Sequence, residues 1–547
     1  MEIIQLTYHE MIKRTNYPIY YASLLSLGVS SLLLAGCSDS KPEEMEIPTR
    51  DIVSQTVPNG SFESGIDGWT VSGDTQTVSI INEGCYGSKS LAVSGPGAYN
   101  TTVEQVLTGL EDGYYDLEFT LKNTGGQTAC YIAAGSDEDA MKMTSLQQSE
   151  KVWKRSIVRG IKVHDGTCRL RLVVNTSVAS SCQIDGLNLI KGTKPFEMLK
   201  GGDASYVTYL EKIGAGLYDN GVKKDAFKLF KEKGFNTIRL RLYNDPGNPD
   251  FEASSQIPEG CQTTEAILDL AKRAKAEGLK IMLTFHYSDT WTNPGQQIMP
   301  HEWEGLSWEE LQTAFYDYTH DVMVKLKDQG TVPEYVAIGN ETQSGMCHPI
   351  ANHENYDKTA RLYTLGYEAV KDVSPESQVV IHVSNGGDSG YYWFFGLMRQ
   401  YNTKFDLIGI SYYPFDTPTK NFYWNDIRHW AEAMYQEFGK ETVIMETGYN
   451  WSPVIPMGIP GQLSDDGVYK NIYPYTPLGQ KNYMLEAFNE IKLTQDCHIL
   501  GVYYWDPLLR YVKDDHHLDW GNGACSEAFF DFEGNALPVF ESYTFNN

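Results

Sequence analysis

The sequence predicts two folded blocks, an all-β sandwich followed by an α/β, (β/α)8 barrel of the TIM type. Three observations carry that expectation. At 547 residues the chain is long enough for roughly two to four domains, so a small disulfide scaffold is excluded. Up to residue 191, short alternating runs are split by Gly, Asn, Asp and Ser, the rhythm of antiparallel strands. From Ala204 onward, apolar strand-like runs alternate with amphipathic stretches, the pattern of a parallel sheet with helical crossovers. The 41% hydrophobic and 21% charged content is that of an ordered globular protein. Lys+Arg of 44 against Asp+Glu of 71 gives a net charge of -27, which repels nucleic acid and polyanions, so a neutral or cationic substrate fits better. The 36 Tyr and 11 Trp suit a sugar-lined cleft, although most of these rings are expected in cores.

Residues 11–14 supply a short basic region, and residues 21–36 an apolar run too short for a comfortable membrane span, ending in Leu34-Ala35-Gly36-Cys37. The pattern resembles a bacterial lipoprotein signal. That resemblance implies cleavage before Cys37, lipidation of its thiol, and an exported chain anchored to the outer membrane, facing the cell surface. Residues 37–55, rich in Ser, Pro, Glu and Lys, read as a flexible tether. Nine cysteines less Cys37 leave eight, with no CxxC pair among them, which disfavours zinc-ribbon or thioredoxin chemistry.

Within the first block (56–191) the strand-like runs are 75–82, 115–122, 130–134, 151–163, 168–174 and 182–190. Residues 191–203, rich in Gly, Lys and Asp, read as a joint, and the barrel is expected over 204–547. Its candidate strands are 206–212, 236–243, 280–287, 335–341, 379–384, 407–413, 442–447 and 499–505. Helices are expected over 223–233, 264–277, 308–327, 356–372, 426–437 and 479–494. No G-x-G-x-x-G or phosphate-loop motif marks an open nucleotide-binding sheet.

In such a barrel, reactive groups belong at the C-terminal strand ends. Glu341 ends the fourth candidate strand and Glu446 the seventh. A carboxylate closing an apolar run is costly to desolvate and so suggests function, although one alone is as often a salt-bridge partner or helix cap. Strands four and seven lie on opposite walls, where paired carboxylates can flank a glycosidic bond.

Several segments then make a closer resemblance. They are Thr237-Ile238-Arg239-Leu240-Arg241-Leu242-Tyr243-Asn244-Asp245-Pro246, Phe285-His286-Tyr287-Ser288-Asp289-Thr290-Trp291, Asn293-Pro294-Gly295-Gln296-Gln297, Ile338-Gly339-Asn340-Glu341, Gly409-Ile410-Ser411-Tyr412-Tyr413-Pro414 and Met445-Glu446-Thr447-Gly448-Tyr449. Together they resemble glycoside hydrolase family 53, the arabinogalactan endo-β-1,4-galactanases, from residue 204 to the C-terminus. The resemblance implies a clan A barrel and a retaining mechanism, with Glu341 as acid/base, Glu446 as nucleophile and carboxyls about 5 to 5.5 Å apart. It implies that Asn340 binds the 2-hydroxyl of the reacting sugar. Arg241 and Tyr413 are expected to hold Glu446. Asn244, Asp245, His286, Asp289, Trp291, His382 and Trp505 are expected to bind galactosyl units. His286 and His382 read alternatively as satisfied core histidines, Trp393 as core rather than subsite, and Arg239 as a brace of the barrel. Three positions depart from the family pattern: Thr284 stands where Asp is usual, Tyr243 where Trp is usual, and Asp506 where Glu is common.

The ends of the first block, Asn59-Gly60-Ser61-Phe62-Glu63 and Gln183-Ile184-Asp185-Gly186-Leu187, resemble galactose-binding-like jelly rolls. That implies a structural Ca²⁺ at Glu63 and Asp185, and reads equally as a carbohydrate-binding module or a spacer. The barrel resemblance adds a possible Ca²⁺ at Asp514, Asp515, Asp519 and Asn522, with no cofactor for catalysis. The expected partners are β-1,4-galactan and, through the anchor, a membrane, for a monomer whose barrel hydrolyses soluble galactan without the sandwich. The competing readings are a non-catalytic surface glycan-binding lipoprotein and a clan A endo-hydrolase of another neutral β-glycan.

Overall fold

The computed structural model describes residues 56–546 apart from 193–194, 247–256, 415–420, 464–468, 495, 497 and 514–523. Cys37 and the last-loop residues Asp514, Asp515, Asp519 and Asn522 lie outside the described residues.

The first block is two antiparallel five-stranded sheets. One runs, in spatial order, Thr70–Gly73, Tyr99–Thr108, Thr167–Thr176, Ala129–Gly135 and Lys142–Ser145. The other runs Val78–Ile81, Ser90–Gly95, Ser180–Lys191, Gly113–Asn123 and Glu150–Val163. Tyr99–Thr108 alternates buried with more open residues along its whole length, so that Tyr99, Val103 and Leu107 enter the core. They meet Leu117, Phe119, Ile132, Val158, Leu172 and Ile184 from both sheets in one apolar cluster.

The second block is a closed parallel barrel. Its strands are β1 (Leu199–Asp203), β2 (Thr237–Leu242), β3 (Lys280–Phe285), β4 (Tyr335–Ile338), β5 (Gln378–Val383), β6 (Leu407–Ser411), β7 (Thr442–Glu446) and β8 (Ile499–Tyr504). Pairing of Leu199 with Gly501 closes the ring. The outer helices are α1 (Ala226–Glu232), α2 (Thr264–Ala276), α3 (Trp308–Asp328), α4 (Tyr356–Val373), α5 (Gly390–Gln400), α6 (Trp424–Phe438) and α7 (Pro477–Leu493). Their starts are written locally. Asp225 and Thr263 cap α1 and α2, and a capping box of Ser307 and Glu310 opens α3.

Two expectations fail for identifiable reasons. Residues 206–212, expected as the first strand, contain the helix Val207–Lys212, and β1 instead lies in the stretch read as a joint. Its glycines serve packing: a Cβ on Gly201 would stand 2.3 Å from the Tyr503 ring, and one on Gly202 2.9 Å from Pro507. The barrel therefore begins at 199, not 204. Helix α5 has no counterpart among the expected helices, because its run of aromatics hides the 3.6-residue period. Tyr391, Phe394, Phe395 and Met398 form the buried face, and Trp393, expected in the core, is exposed.

The sandwich is fastened to α7 and the segment before it. Lys492 Nζ, fully buried, donates to Met143 O (2.7 Å) and Thr144 Oγ1 (2.9 Å) of the sandwich and to Asn546 Oδ1 (3.0 Å). Burial among neutral acceptors, with Lys200 and Lys142 nearby, holds this ammonium well below the ordinary lysine range. Arg159 donates to Lys492 O and Thr494 O, and Tyr131 stacks on Phe545 with centroids 4.7 Å apart. Gln148 Nε2 donates to the Tyr473 hydroxyl, which donates to the buried Glu486 carboxylate; Tyr469 donates to the same carboxylate and accepts from Trp424 N, the first residue of α6. A chain starting at residue 195 loses all of these sandwich partners and leaves Lys492 short of two acceptors. Its thermal midpoint is expected to fall by roughly 5 °C or more relative to the full chain in a melting experiment.

Candidate active site

The site is built from polar side chains that the strands deliver to the upper interior of the barrel. Alternation along β2 turns Thr237, Arg239 and Arg241 inward, and all three are buried. Arg239 is the hub. Its Nη1 donates to Glu446 Oε1 at 2.6 Å, its Nη2 to Asn340 Oδ1 at 2.6 Å and its Nε to Thr284 Oγ1 at 3.0 Å, while Asp203 Oδ2 lies 3.4 Å from Nη1. One guanidinium thus joins the residue beside Glu341 on the β4 side to Glu446 on the β7 side.

Glu446 reaches this position through an irregularity. Ile408, Gly409 and Ile410 pair with Thr442, Val443 and Ile444, but Ser411 pairs with Glu446, so Met445 is an extra residue on β7. Val443 and Met445 both face the apolar barrel interior. Strict alternation would turn the next side chain outward; the bulge re-aims Glu446 inward. The Tyr413 hydroxyl donates to Glu446 Oε2 at 3.1 Å.

Glu341 follows β4 in the left-handed region, at φ 51° and ψ 51°, just after Gly339 at φ 90°. Tyr287, Asn385 and Asp506, past the ends of β3, β5 and β8, also have positive φ. Such conformations in non-glycine residues are costly and gather where surrounding structure imposes them, commonly at active sites. Glu341 is partly exposed, whereas Glu446 is buried. Gln297 Nε2 donates to Asn340 O at 2.8 Å, and Asn340 Nδ2 donates to Thr292 O at 3.1 Å. The Asn-Pro-Gly-Gln-Gln segment therefore braces the turn that carries Glu341.

Arg241, expected to donate to Glu446, does something else. Its Nη2 donates to Asp506 Oδ1 at 2.5 Å, its Nε lies 3.1 Å from Asp203 Oδ2, and its guanidinium is layered between Tyr206 and Trp291 at 5.1 and 5.2 Å from their centroids. The contact assigned to Arg241 belongs to Arg239, which the sequence left as a brace. Both arginines sit two residues apart on one inward face, so alternation could not choose between them. Burial pushes the Asp506 carboxyl up against the pull of Arg241. Thr284, at the position where Asp is usual, accepts from Arg239, and Tyr243, where Trp is usual, stacks on His286 with centroids 4.2 Å apart.

The remaining residues divide by exposure. Trp291 is partly open and meets Trp505 edge-on at 6.3 Å, so the two rings wall one side of the site. Asn244 and the exposed Asp245 follow β2, and neither the amide oxygen nor the amide nitrogen of Asn244 has a hydrogen-bond partner among the described residues. Nε2 of His286 is also unpartnered, while its Nδ1 pairs with Thr292 Oγ1 at 2.7 Å. Unsatisfied buried polar atoms at a strand-end mouth mark a place for water or sugar hydroxyls. Asp289 is instead a clip between loops, accepting from Asp245 N and His301 N, and burial raises its carboxyl. His382 is completely buried with Nε2 on Ser411 Oγ at 2.9 Å, and its Nδ1 has no hydrogen-bond partner among the described residues. Burial, with the arginines close by, holds both imidazoles well below the usual histidine range and therefore neutral.

At the sandwich, Glu63 accepts from Ser88 N, Lys89 N and Ser88 Oγ, and Asp185 accepts from Cys85 N, Tyr86 N and Gly186 N. Both carboxylates grip the same 85–89 loop, and burial pushes Asp185 up to about 7. Amide N–H groups aimed at these oxygens are the wrong surroundings for a hard cation, so the donor set does not fit Ca²⁺ there. Among the described residues, no group of three or more His, Cys, Asp or Glu side chains could hold a metal ion.

A closed barrel with a glutamate after β4 and another at the end of β7, the second joined through one arginine to the asparagine beside the first, is the arrangement of a glycoside hydrolase. The comparisons with known proteins agree. The model of glycosyl hydrolase family 53 matches residues 199–543, and the chain belongs to that family. It is 32% identical over 356 residues to an arabinogalactan endo-β-1,4-galactanase of Cellvibrio japonicus, covering 62% of this chain and 89% of that protein. It is 26% identical to an endo-β-1,4-galactanase of Bacillus subtilis, covering 64% of this chain and 86% of that protein. Among solved structures, the family 53 catalytic domain from Ignisphaera aggregans superposes with a TM-score of 0.59 at 29% identity, covering 64% of this chain and 97% of that one. A fungal β-1,4-galactanase gives 0.55 at 26% identity, with 64% and 99% covered.

The two arginines are expected to separate by experiment. Arg239→Met should lower turnover of folded enzyme at least a hundredfold, since it removes the donor on Glu446 and Asn340. Arg241→Met leaves Asp203 and Asp506 short of a cation and should lower stability by about 3 to 5 kcal/mol, seen as a shifted denaturation midpoint.

Proposed function

We propose that this chain is an endo-acting hydrolase of β-1,4-galactosidic linkages in galactan and type I arabinogalactan, working by double displacement with retention. The observation that carries the reading is the Arg239 bridge from Glu446 to Asn340, set in a family whose similar members are named as galactanases. In the first step Glu341 gives its proton to the glycosidic oxygen as the bond from C1 to that oxygen breaks, and Glu446 attacks C1 to form a glycosyl ester. Arg239 occupies Oε1 at 2.6 Å, whereas Oε2 takes the longer Tyr413 bond at 3.1 Å and is the better placed to attack. In the second step water adds to C1, its proton passes to Glu341, and Glu446 leaves as the carboxylate. Asn340 uses Oδ1 on Arg239 and one amide hydrogen on Thr292 O, leaving the second hydrogen for the 2-hydroxyl of the reacting sugar. Trp291 and Trp505 supply ring faces and edges for the glycone.

Glu341→Ala and Glu446→Ala are each expected to cut reducing-end release from β-1,4-galactan by at least about a thousandfold in protein that still folds; Glu341→Ala should leave the melting curve intact, whereas Glu446→Ala, which takes a buried partner from Arg239, should lower its midpoint. Azide should rescue Glu446→Ala, and a 2-fluoro galactoside should label the peptide containing Glu446. A purely binding protein would be retarded in a galactan gel yet release no ends. The anchor is part of the same proposal: the run ending in Cys37 supports lipidation, which Cys37→Ala would abolish in a palmitate-labelling experiment. Asp514, Asp515, Asp519 and Asn522 place four oxygen-bearing side chains within nine residues, which supports a structural Ca²⁺ in the last loop. Chelation should then lower the thermal midpoint, and added Ca²⁺ restore it.

A further inference from the structure

Helix α5 opens at the rim above β5 with a large apolar ring left in solvent. Trp393 is 61% exposed, and nothing in the packing of the barrel requires it, since the buried face of α5 is made by Tyr391, Phe394, Phe395 and Met398. The ring is nonetheless held. It meets Tyr356, the first residue of α4, edge-on at 5.5 Å. The Tyr356 hydroxyl donates at 2.7 Å to the carbonyl of Gln343, two residues beyond Glu341. Gln343 Oε1 accepts from Ser384 N at the end of β5, Ser384 is bonded to Tyr391, and the Tyr391 phenol feels the Glu341 carboxylate. Trp393 is therefore seated on the same braced segment that positions the acid.

Its side of the site follows from the chemistry. A general acid must reach the oxygen of the departing sugar, so the part of the cleft that continues outward from Glu341, away from Glu446 and the Trp291–Trp505 wall, receives the leaving group. An exposed indole about one helical turn after the polar Asp388 and Ser389 offers an apolar face near polar groups at the start of the helix, the combination that a pyranose ring recognises.

We propose that Trp393, backed by Tyr356, is a remote leaving-group subsite that stacks a galactosyl unit beyond the one being released and so favours long chains over short ones. This rests on the galactanase reading above and adds a specificity-determining residue to it.

The test compares Trp393→Ala and Trp393→Tyr with the parent enzyme on polymeric β-1,4-galactan and on an aryl β-1,4-galactobioside, whose leaving group ends at one ring. The ratio of kcat/KM for galactan to that for the aryl glycoside should fall about tenfold in Trp393→Ala, mainly through KM, and recover largely in Trp393→Tyr. An unaltered ratio, or equal losses on both substrates, would overturn the proposal. A galactan affinity gel run in the Glu446→Ala background separates the two readings: retardation should weaken when Trp393→Ala is added. Should the parent enzyme release no ends while this retardation still depends on Trp393, the hydrolase reading fails and Trp393 is a galactan-binding residue without a leaving-group role; retardation indifferent to Trp393 sinks the subsite alone.

Discussion

The guanidinium of Arg239 is the constraint around which the catalytic half of this protein is organised. A buried cation has to be matched by acceptors, and here they come from β1, β3, β7 and the turn after β4. Satisfying it fixes the rotamer of Glu446, the orientation of the Asn340 amide and the hydroxyl of Thr284 together. Two arginines and the carboxylates of Asp203, Asp506 and Glu446 share one water-poor layer, with one more negative than positive charge if all three are ionised. Neutral His286 and His382 add no charge to that layer, so the excess rests on carboxylates. Such a layer is costly to assemble and rigid once assembled, and it holds the Glu446 carboxylate in one place.

The interface with the sandwich extends this rigidity outward. Gln148, Tyr473, Glu486, Tyr469 and the start of α6 form one hydrogen-bonded chain from the first block to the segments after β6 and β7. Thr447, next to Glu446, is bonded to Tyr483, which stacks on Tyr449 at 4.5 Å; Tyr449 in turn donates to Tyr473 O. The wall that bears Glu446 is thus packed on aromatic rings and tied to the neighbouring block. A domain that composition presents as an accessory is a structural neighbour of the site-bearing loops.

Much of the site was legible in the chain. Apolar runs ending in Glu341 and Glu446 announced two strand-end carboxylates, and the segments around them carried a family resemblance that the family model bears out over residues 199–543. The errors have physical causes. Gly201 and Gly202 imitate a linker because a strand packed under Tyr503 and Pro507 has no room for side chains. Helix α5 vanished into a run of aromatics whose buried and exposed members look alike in composition. Asp289 is a polar residue in the right segment, yet it clips two loops.

The sequence by itself determined the barrel class, most strand and helix positions and the placement of Glu341 and Glu446 at strand ends, because periodicity and strand-end placement are local properties. Only the tertiary structure decided which arginine holds Glu446, that an extra residue on β7 turns that glutamate inward, and that Trp393 stands in solvent. Those outcomes depend on register between neighbouring strands and on which face a neighbour covers, and neither is encoded within any single segment.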